Sequence, residues 1–261
     1  MKVVLFCGGY GMRMRSTEGD VIPKPLQMVG PRPLLWHVMR YYAHYGHKEF
    51  ILCLGYKADV IKKYFLNYDE CLSNDFTLSG AGNIALANSD IHDWKISFVD
   101  TGMSTNIGGR LRAVREYIGD DEYFLANYSD NLTDVPLPEM IENFEGKNRV
   151  ASFLCVRPSQ SFHMVHMDGS NVVSKISHAS KGDLRINGGY FVLRKDVFDF
   201  MKPGEELVEE PFQRLIEKKQ LSAYKYDGFF VCMDTFKERQ ALEEMYATGN
   251  APWTMWAKKR A

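Results

Sequence analysis

The chain has 261 residues, of which 45% are hydrophobic and 25% charged, as in an ordinary soluble globular protein. Its 32 Lys and Arg residues nearly balance its 33 Asp and Glu residues, and this argues against bulk electrostatic binding to nucleic acid or to an anionic membrane. No apolar run approaches the roughly 20 residues that span a bilayer. The five cysteines are widely spaced without a CxxC pair, so we expect free thiols and a cytoplasmic protein.

Short apolar runs and amphipathic runs alternate along the first half of the chain. The runs with the length and branching of strands are residues 2–7, 49–54, 95–99 and 123–127. The runs with helical spacing are residues 34–45, 58–68 and 109–117. Residues 75–88 differ, because two short runs around Ser79-Gly80-Ala81-Gly82 predict a hairpin. The alternation of strands and helices favours a parallel sheet covered on both faces.

The second half is richer in predicted strands. These are residues 150–156, 163–167, 172–176, 189–193, 222–226 and 229–233, with a tight turn at 168–171. The predicted helices are residues 195–201, 207–218 and 235–247, and a Trp-bearing tail covers 251–261. Together the two halves predict one α/β domain with a mixed sheet.

Two neighbouring segments have the composition of a phosphate-binding entrance. Cys7-Gly8-Gly9-Tyr10-Gly11-Met12-Arg13 follows the first predicted strand, and its glycines leave backbone amides free to surround an anion. It has neither the lysine of a P-loop nor the spacing of a dinucleotide-binding fingerprint. In Pro23-Lys24-Pro25, two prolines restrict the backbone on both sides of Lys24. The two segments therefore predict one site with the cations Arg13 and Lys24 aimed at phosphates.

These segments resemble the signature of the sugar-1-phosphate nucleotidyltransferases, Gly-Gly-x-Gly-x-Arg followed by Pro-Lys-Pro. Further matches, in order along the chain, are similar to the glucose-1-phosphate cytidylyltransferase branch: Leu35-Trp36-His37, Gly55-Tyr56-Lys57, Val99-Asp100-Thr101-Gly102, Gly108-Gly109-Arg110-Leu111, Ile186-Asn187-Gly188-Gly189, Met233-Asp234-Thr235 and Ala251-Pro252-Trp253. The resemblance implies a Rossmann-like nucleotidyltransferase fold with a mixed, mainly parallel central sheet and a smaller β-rich acceptor-side region. It implies a single domain over 1–261, with a nucleotide-binding half at 1–135 and an acceptor-binding half with a C-terminal tail at 136–261.

The resemblance also implies a reaction, in which CMP moves from CTP to a phosphorylated small molecule similar to a sugar 1-phosphate and pyrophosphate leaves. It implies that Arg13 and Lys24 are catalytic and that Asp130 and Asp234 bind Mg²⁺, an ion that prefers carboxylate and phosphate oxygens. The implied nucleotide-binding residues are Cys7, Gly8, Gly9, Gly11, Met12, Arg13, Arg110 and Ser129. The implied acceptor-binding residues are Asn187, Gly188, Lys181 and Glu210. The implied partners are CTP and the acceptor, and we expect neither a nucleic acid nor a membrane as a partner. We also expect the protein to form a homo-oligomer.

The chain departs from the family pattern at positions that bear on the substrate. Met12 stands where the family usually has Thr, and Ser129 and Asn131 stand where glycines flank the metal-binding aspartate. Ala179 falls at the position of the lysine that binds the sugar phosphate, although Lys181 is close in sequence. We therefore expect weak use of glucose 1-phosphate and stronger use of another phosphorylated or phosphonylated acceptor.

Two alternatives stay open at this point. The first is a cytidylyltransferase for a non-sugar acceptor, such as a phosphonate, a phosphorylated amino acid or a polyol phosphate. The second is a catalytically inactive nucleotide-binding regulator, which the retained charged residues disfavour because such groups are costly to bury without a function. His163, His166 and His178 are close in sequence, and their alternating positions favour polar lining of an acceptor pocket over zinc binding.

Overall fold

The computed structural model describes residues 1–9, 22–159, 162–179 and 182–257. The strands in these ranges, numbered in chain order, are β1 (Lys2–Phe6), β2 (Met28–Val29), β3 (Arg32–Pro33), β4 (Glu49–Leu54), β5 (Phe76–Ser79), β6 (Asn83–Leu86), β7 (Lys95–Asp100), β8 (Tyr123–Asn127), β9 (Asn131–Thr133), β10 (Ala151–Val156), β11 (His163–Met167), β12 (Val173–His178), β13 (Ile186–Arg194), β14 (Leu221–Lys225) and β15 (Phe230–Cys232). The α-helices there are α1 (Leu34–His44), α2 (Ala58–Leu66), α3 (Ile107–Ala113), α4 (Arg115–Ile118), α5 (Leu137–Lys147), α6 (Glu210–Glu217) and α7 (Phe236–Ala247).

A seven-stranded sheet organises these elements, with the strand order β14-β10-β13-β8-β1-β4-β7. β1 is parallel to β4 and β8, β4 is parallel to β7, and β10 is parallel to β14. Only β13 runs antiparallel to its neighbours β10 and β8. The sheet is therefore mixed and mainly parallel, which confirms the predicted fold class. It combines strands from 1–135 and from 136–261, while the division of those halves between nucleotide and acceptor stays a prediction.

The central strand β1 shows why the sheet is covered on both faces. Val3 and Leu5 pack into one cluster of buried side chains with α1, whereas Val4 and Phe6 pack into a second cluster on the opposite face. The second cluster includes Leu111 of α3. Because successive side chains of a strand alternate between faces, a continuous apolar run of this kind needs apolar partners on both sides.

The predicted elements are confirmed for most of the chain, and the differences have local causes. The predicted helix over 109–117 is two short helices, because α3 ends at Ala113 and the residue after it, Val114, has the non-helical angles φ −103° and ψ 8°. The predicted helix over 195–201 is a 3-10 helix, Lys195–Phe200, and α6 begins at Glu210 rather than at 207. The sequence patterns predict neither β9 nor α5, which lie on either side of the boundary between the two halves.

The Trp-bearing tail packs against α1 and so joins two of the motifs quoted above. The Trp253 indole N–H donates to His37 Nδ1 at 3.3 Å, and His37 Nε2 lies 2.8 Å from the carbonyl oxygen of Val29. Burial lowers the pKa of His37, and hydrogen bonds to the backbone raise it by less, so the pKa falls to about 4. The ring is therefore neutral at pH 7. A neutral ring can accept at Nδ1 while it donates at Nε2, and both bonds are then satisfied.

Two hairpins extend from the main sheet. The predicted hairpin over 75–88 is β5 and β6, and the predicted turn at 168–171 connects β11 to β12. Asn171 in this turn has a φ of +64°, and the Asp168 carboxylate accepts from the Ser170 and Val172 N–H groups. Among the helices of the described ranges, none combines the length and apolar character needed to cross a membrane.

Candidate active site

Three charged side chains from distant parts of the chain meet near the carboxyl edge of the sheet. Lys24 Nζ donates to Asp130 Oδ2 at 2.7 Å and to Asp234 Oδ1 at 2.6 Å. Lys24 lies in a 3-10 turn, Lys24–Leu26, that begins after Pro23. Asp130 lies between β8 and β9, and Asp234 follows β15, which pairs with β9. The structure thus brings together the three residues to which the resemblance assigns charge neutralisation and metal binding.

The charges of Lys24, Asp130 and Asp234 affect one another's protonation, and the Lys24 ammonium stays charged between the two carboxylates. Burial alone lowers the pKa of Lys24, but the neighbouring Asp130 and Asp234 outweigh it and raise the pKa above its ordinary value. Burial raises the pKa of Asp130, as does the nearby Asp234, whereas Lys24 lowers it. Lys24 is therefore the counter-ion of a carboxylate pair, and two carboxylates with one ammonium still leave a site that attracts a further cation.

The same residues fit a hard divalent cation. Asp130 Oδ1 is buried and has no hydrogen-bond partner among the described residues. Ligand atoms of Asp130, Cys232 and Asp234 lie within 4.8 Å of one another, and within the described ranges they are the only such group of three or more His, Cys, Asp or Glu side chains. Burial raises the pKa of the Cys232 thiol, so it is protonated at pH 7. Two carboxylates with an unpartnered oxygen match Mg²⁺, which completes its shell with phosphate and water.

The residue before Asp130 explains a departure from the family pattern. Ser129 has a φ of +62°, the left-handed region that glycine adopts without a steric penalty. The buried Ser129 hydroxyl donates to the Phe6 carbonyl oxygen at 2.8 Å, and its N–H donates to Asn127 Oδ1 at 2.6 Å. Serine therefore fits a glycine position here because its hydroxyl bonds β1, while its backbone N–H bonds the Asn127 side chain of β8.

The left-handed backbone at Ser129 predicts that glycine is more stable than alanine at this position, the reverse of the order in a regular strand. Ser129→Ala keeps the left-handed backbone and leaves the Phe6 carbonyl without its hydroxyl donor, so we expect the free energy of unfolding to fall by about 1–3 kcal/mol. Ser129→Gly loses the same bond but relieves the backbone, so it is expected to be more stable than Ser129→Ala by about 1 kcal/mol. Urea denaturation monitored by fluorescence measures both values.

Ser222 provides the matched control, because its hydroxyl also donates to a carbonyl oxygen, that of Ala151, from the regular strand β14. In a strand, glycine is less stable than alanine by about 0.5–1 kcal/mol. Ser222→Gly should therefore be less stable than Ser222→Ala. If the alanine variant were the more stable of the two at both positions, the result would contradict a strained backbone at Ser129.

Helix α7 begins directly after Asp234 and fixes its backbone. Thr235 Oγ1 accepts from the Glu238 N–H at 3.3 Å, and Glu238 Oε2 accepts from the N–H groups of Asp234 at 2.7 Å and Thr235 at 2.8 Å. This reciprocal arrangement is a capping box, which satisfies backbone donors that the first turn of a helix leaves free. The position of Asp234 is thus set by the first turn of α7.

Helix α7 also contacts the segment that carries Lys24. The Gly30 N–H donates to Glu243 Oε2 at 2.9 Å, and Arg239 Nη1 donates to Gln27 Oε1 at 3.2 Å. Gln27 in turn donates to the carbonyl oxygen of Ile22, just before the prolines. One helix therefore positions both Asp234 and the Lys24 turn.

A cavity of about 410 Å³ opens beside Asp130. It lies over the carboxyl ends of β1, β7 and β8, where ligands bind in open α/β sheets. Its lining residues are Phe6, Gly9, Met103, Ser104, Thr105, Asn106, Ile107, Arg110, Tyr128, Asp130 and Glu206. The lining residues that the sequence did not single out are Phe6, those of 103–107, Tyr128 and Glu206. They carry no local motif, and only the sheet topology brings them together.

Arg110 lines this cavity, but its guanidinium bonds mainly to the protein. It donates to the carbonyl oxygens of Leu54 at 3.0 Å, Gly8 at 3.0 Å and Met103 at 3.3 Å, and to Thr101 Oγ1 at 2.7 Å. The residue is 3% exposed. These bonds connect the last residue of β4 with the segments that follow β1 and β7. A Cβ on Gly8 would lie 2.0 Å from Arg110 Nη1, which is a structural reason for that glycine.

The other expected nucleotide-binding residues fall in different environments. Cys7 is buried in the core, and burial raises the pKa of its thiol to about 12. Gly9 lines the cavity. Gly11, Met12 and Arg13 lie outside the described residues, as does Lys181 of the acceptor set.

On the acceptor side, Asn187 Nδ2 donates to the Tyr128 hydroxyl at 3.3 Å, next to the cavity. Gly188 packs closely on Leu154, since a Cβ there would lie 3.2 Å from the Leu154 carbonyl oxygen. Glu210 is exposed at the first turn of α6 and does not line the cavity, whereas Glu206 does.

The comparisons with known proteins define the class of this protein. The nucleotidyl transferase family matches residues 2–245, so the chain belongs to that family and is a nucleotidyltransferase. It is 38% identical over 259 residues to the glucose-1-phosphate cytidylyltransferases of Salmonella typhi and of Salmonella typhimurium strain LT2, covering 98% of this chain and 100% of each relative. The predicted sugar-1-phosphate nucleotidyltransferase family is thereby confirmed.

A solved structure shares the fold at low identity. HddC from Yersinia pseudotuberculosis superposes with a TM-score of 0.66 at 20% identity, and the match covers 94% of this chain and 99% of that chain. A structure of UDP-glucose pyrophosphorylase complexed with UDP-glucose gives a TM-score of 0.68 at 15% identity, covering 95% and 98% of the two chains. The mixed sheet described above is thus the fold of nucleotidyltransferases.

Proposed function

We propose that this protein transfers CMP from CTP to a sugar 1-phosphate, releases pyrophosphate and uses Mg²⁺. The observation that carries the proposal is the Lys24 ammonium between Asp130 and Asp234, beside a cavity over the sheet edge. The nucleotide and the acceptor class come from the relatives at 38% identity, which are named glucose-1-phosphate cytidylyltransferases. The homo-oligomer stays a prediction.

The reaction joins two anions, and the site supplies positive charge where they meet. A phosphate oxygen of the acceptor forms a bond to the α-phosphorus of CTP, and the bond from that phosphorus to the bridging oxygen breaks, so pyrophosphate leaves with the electron pair. The nucleophile is already ionised at pH 7, and no general base is needed. Lys24 neutralises charge on the reacting phosphates. Asp130 and Asp234 would hold Mg²⁺, which supplies further charge neutralisation when bound.

The proposal is tested by pyrophosphate release from CTP and Mg²⁺ over a panel of acceptors. The panel contains glucose 1-phosphate, other sugar 1-phosphates, phosphonates, phosphorylated amino acids and polyol phosphates. Reactions without acceptor or with excess EDTA should release no pyrophosphate. Failure of every acceptor would contradict the proposed transfer and favour a nucleotide-binding regulator.

A second candidate is a cytidylyltransferase for a non-sugar acceptor, and Ala179 favours it. The Ala179 side chain is fully buried at the end of β12, and its N–H donates to the Phe162 carbonyl oxygen at 3.0 Å. It therefore offers no charge at the position where the family has a phosphate-binding lysine. One lost charge-assisted hydrogen bond costs about 1.5–3 kcal/mol.

This loss predicts a measurable preference among acceptors. A cost of about 1.5–3 kcal/mol corresponds to a one- to two-decade decrease in kcat/KM. We expect the kcat/KM for glucose 1-phosphate to lie below about 10⁴ M⁻¹s⁻¹, the lower end of ordinary enzymes, and another phosphorylated or phosphonylated acceptor to exceed it. Steady-state pyrophosphate assays over the panel measure both. A higher kcat/KM for glucose 1-phosphate than for every other acceptor would contradict the predicted preference and the non-sugar candidate. The transfer of CMP to a sugar 1-phosphate would then be the proposal that stands.

A further inference from the structure

Glu206 is a cavity residue that lies far in sequence from the glycine-rich segment. Its Oε2 accepts from the Ile107 N–H at 3.3 Å and its Oε1 from the Leu207 N–H at 2.9 Å. These bonds place the carboxylate at the end of the cavity formed by residues 103–107, which follow β7. Asp130 follows β8, and β1 and β4 separate β8 from β7 in the sheet. Asp130 and Glu206 line the same cavity, so this cavity holds a second carboxylate besides the one that contacts Lys24.

The polar groups around Glu206 give this end of the cavity the character of an acceptor. Arg110 donates to protein oxygens, as described above. Asn106 bonds within the protein through both parts of its amide, because Oδ1 accepts from the Gly109 N–H at 2.8 Å and Nδ2 donates to the Gly204 carbonyl oxygen at 3.0 Å. Each Glu206 oxygen can accept a further bond. At the Glu206 carboxylate, a ligand group that donates N–H is therefore favoured over one that presents a carbonyl oxygen.

We propose that Glu206 is a specificity-determining residue that accepts a hydrogen bond from the exocyclic amino group of cytosine. The inference rests on the proposed use of CTP. With the triphosphate beside Lys24 and Asp130, the base extends along the cavity towards residues 103–107. Cytosine carries an amino donor where uracil and thymine carry a carbonyl oxygen, and a carboxylate attracts the first and repels the second. A site built for such a bond discriminates strongly against a base that lacks the donor.

The test compares CTP with pyrimidin-2-one ribonucleoside triphosphate, which lacks only the 4-amino group. Dissociation constants are measured by isothermal titration calorimetry with Mg²⁺ and without acceptor. The wild-type protein is expected to bind CTP at least about tenfold more tightly than the analogue, the effect of one charge-assisted hydrogen bond. In Glu206→Ala the two constants should become equal within about twofold, and this coupling isolates the pair.

Glu209→Ala is the matched control, because this side chain is exposed in the same segment. It should keep the wild-type ratio of dissociation constants. The ratio compares two ligands on one variant, so a general loss of stability does not imitate the expected result. UTP is a second probe, and Glu206→Gln, whose amide can donate, should bind UTP more tightly relative to CTP than the wild type does.

The outcomes separate this inference from the proposed function. A wild-type ratio near one, or an unchanged ratio in Glu206→Ala, overturns the role of Glu206 even when pyrophosphate is released from CTP. A ratio that disappears in Glu206→Ala, without pyrophosphate release from any acceptor, supports the cytosine contact and contradicts the transfer. Absence of CTP binding by the wild-type protein overturns both.

Discussion

Replacing Lys24 with methionine is expected to lower kcat/KM for CTP by at least about hundredfold with the best acceptor of the panel. Removal of one group that stabilises charge in the transition state typically costs this much. Methionine has a similar length and no charge, so the loss reports the ammonium rather than the packing of the 3-10 turn. Steady-state pyrophosphate release measures the effect, and near-wild-type turnover would remove Lys24 from the mechanism.

A second readout of Lys24→Met does not depend on turnover. Without the ammonium, Asp130 and Asp234 lose the cation that each contacts at 2.6–2.7 Å. In Lys24→Met, Mg²⁺ can bind the two carboxylates without competition from an ammonium, and a ligand stabilises the folded state that binds it. We therefore expect Mg²⁺ to raise the melting temperature of Lys24→Met by more than that of the wild type. Lys63, which pairs with Asp59 on the surface, is the control, and Lys63→Met should match the wild type in both assays.

The sheet could be predicted from the sequence because its central strands are buried on both faces. The runs at 2–7, 49–54 and 123–127 are continuous apolar segments, and each is a parallel strand of the main sheet. Helix boundaries were harder, because tertiary contacts set them. The start of α3 at Ile107 depends on Asn106, whose side chain caps the helix, and on Glu206, which is nearly a hundred residues away.

The candidate site was predictable where a strand end coincides with a charged residue. Asp130 and Asp234 follow strands, and Lys24 stands between prolines, so the resemblance could point to two carboxylates that the structure brings within 2.7 Å of the Lys24 ammonium. Tyr128 and Glu206 have no such signal. Glu206 lies in a charged loop where any carboxylate would look solvated, and only its contact with Ile107 identifies it as a cavity residue.

The burial of Arg110 distinguishes a structural role for this residue from a direct contact with nucleotide. In the sequence it follows Gly108 and Gly109, which suits a nucleotide-binding helix start. In the structure its guanidinium bonds the end of β4 and the segments that follow β1 and β7, and the residue is 3% exposed. A Cβ on Gly55 would lie 2.9 Å from its Nη1, so a second glycine of a family-like motif packs against the same group.

Arg110→Ala is therefore expected to lower the free energy of unfolding by about 3 kcal/mol or more, because several buried oxygens lose their donor and each costs about 1–3 kcal/mol. Urea denaturation measures this change. Arg112 is the matched control, because it lies in the same helix, is exposed and donates to a single carbonyl oxygen, that of Met201. Arg112→Ala should cost less than about 1 kcal/mol. A residue that only contacted nucleotide would lose CTP affinity on truncation without any change in the unfolding free energy of the free protein. That result would contradict the structural role, because the bonds from Arg110 to Leu54, Gly8 and Met103 exist before any ligand arrives.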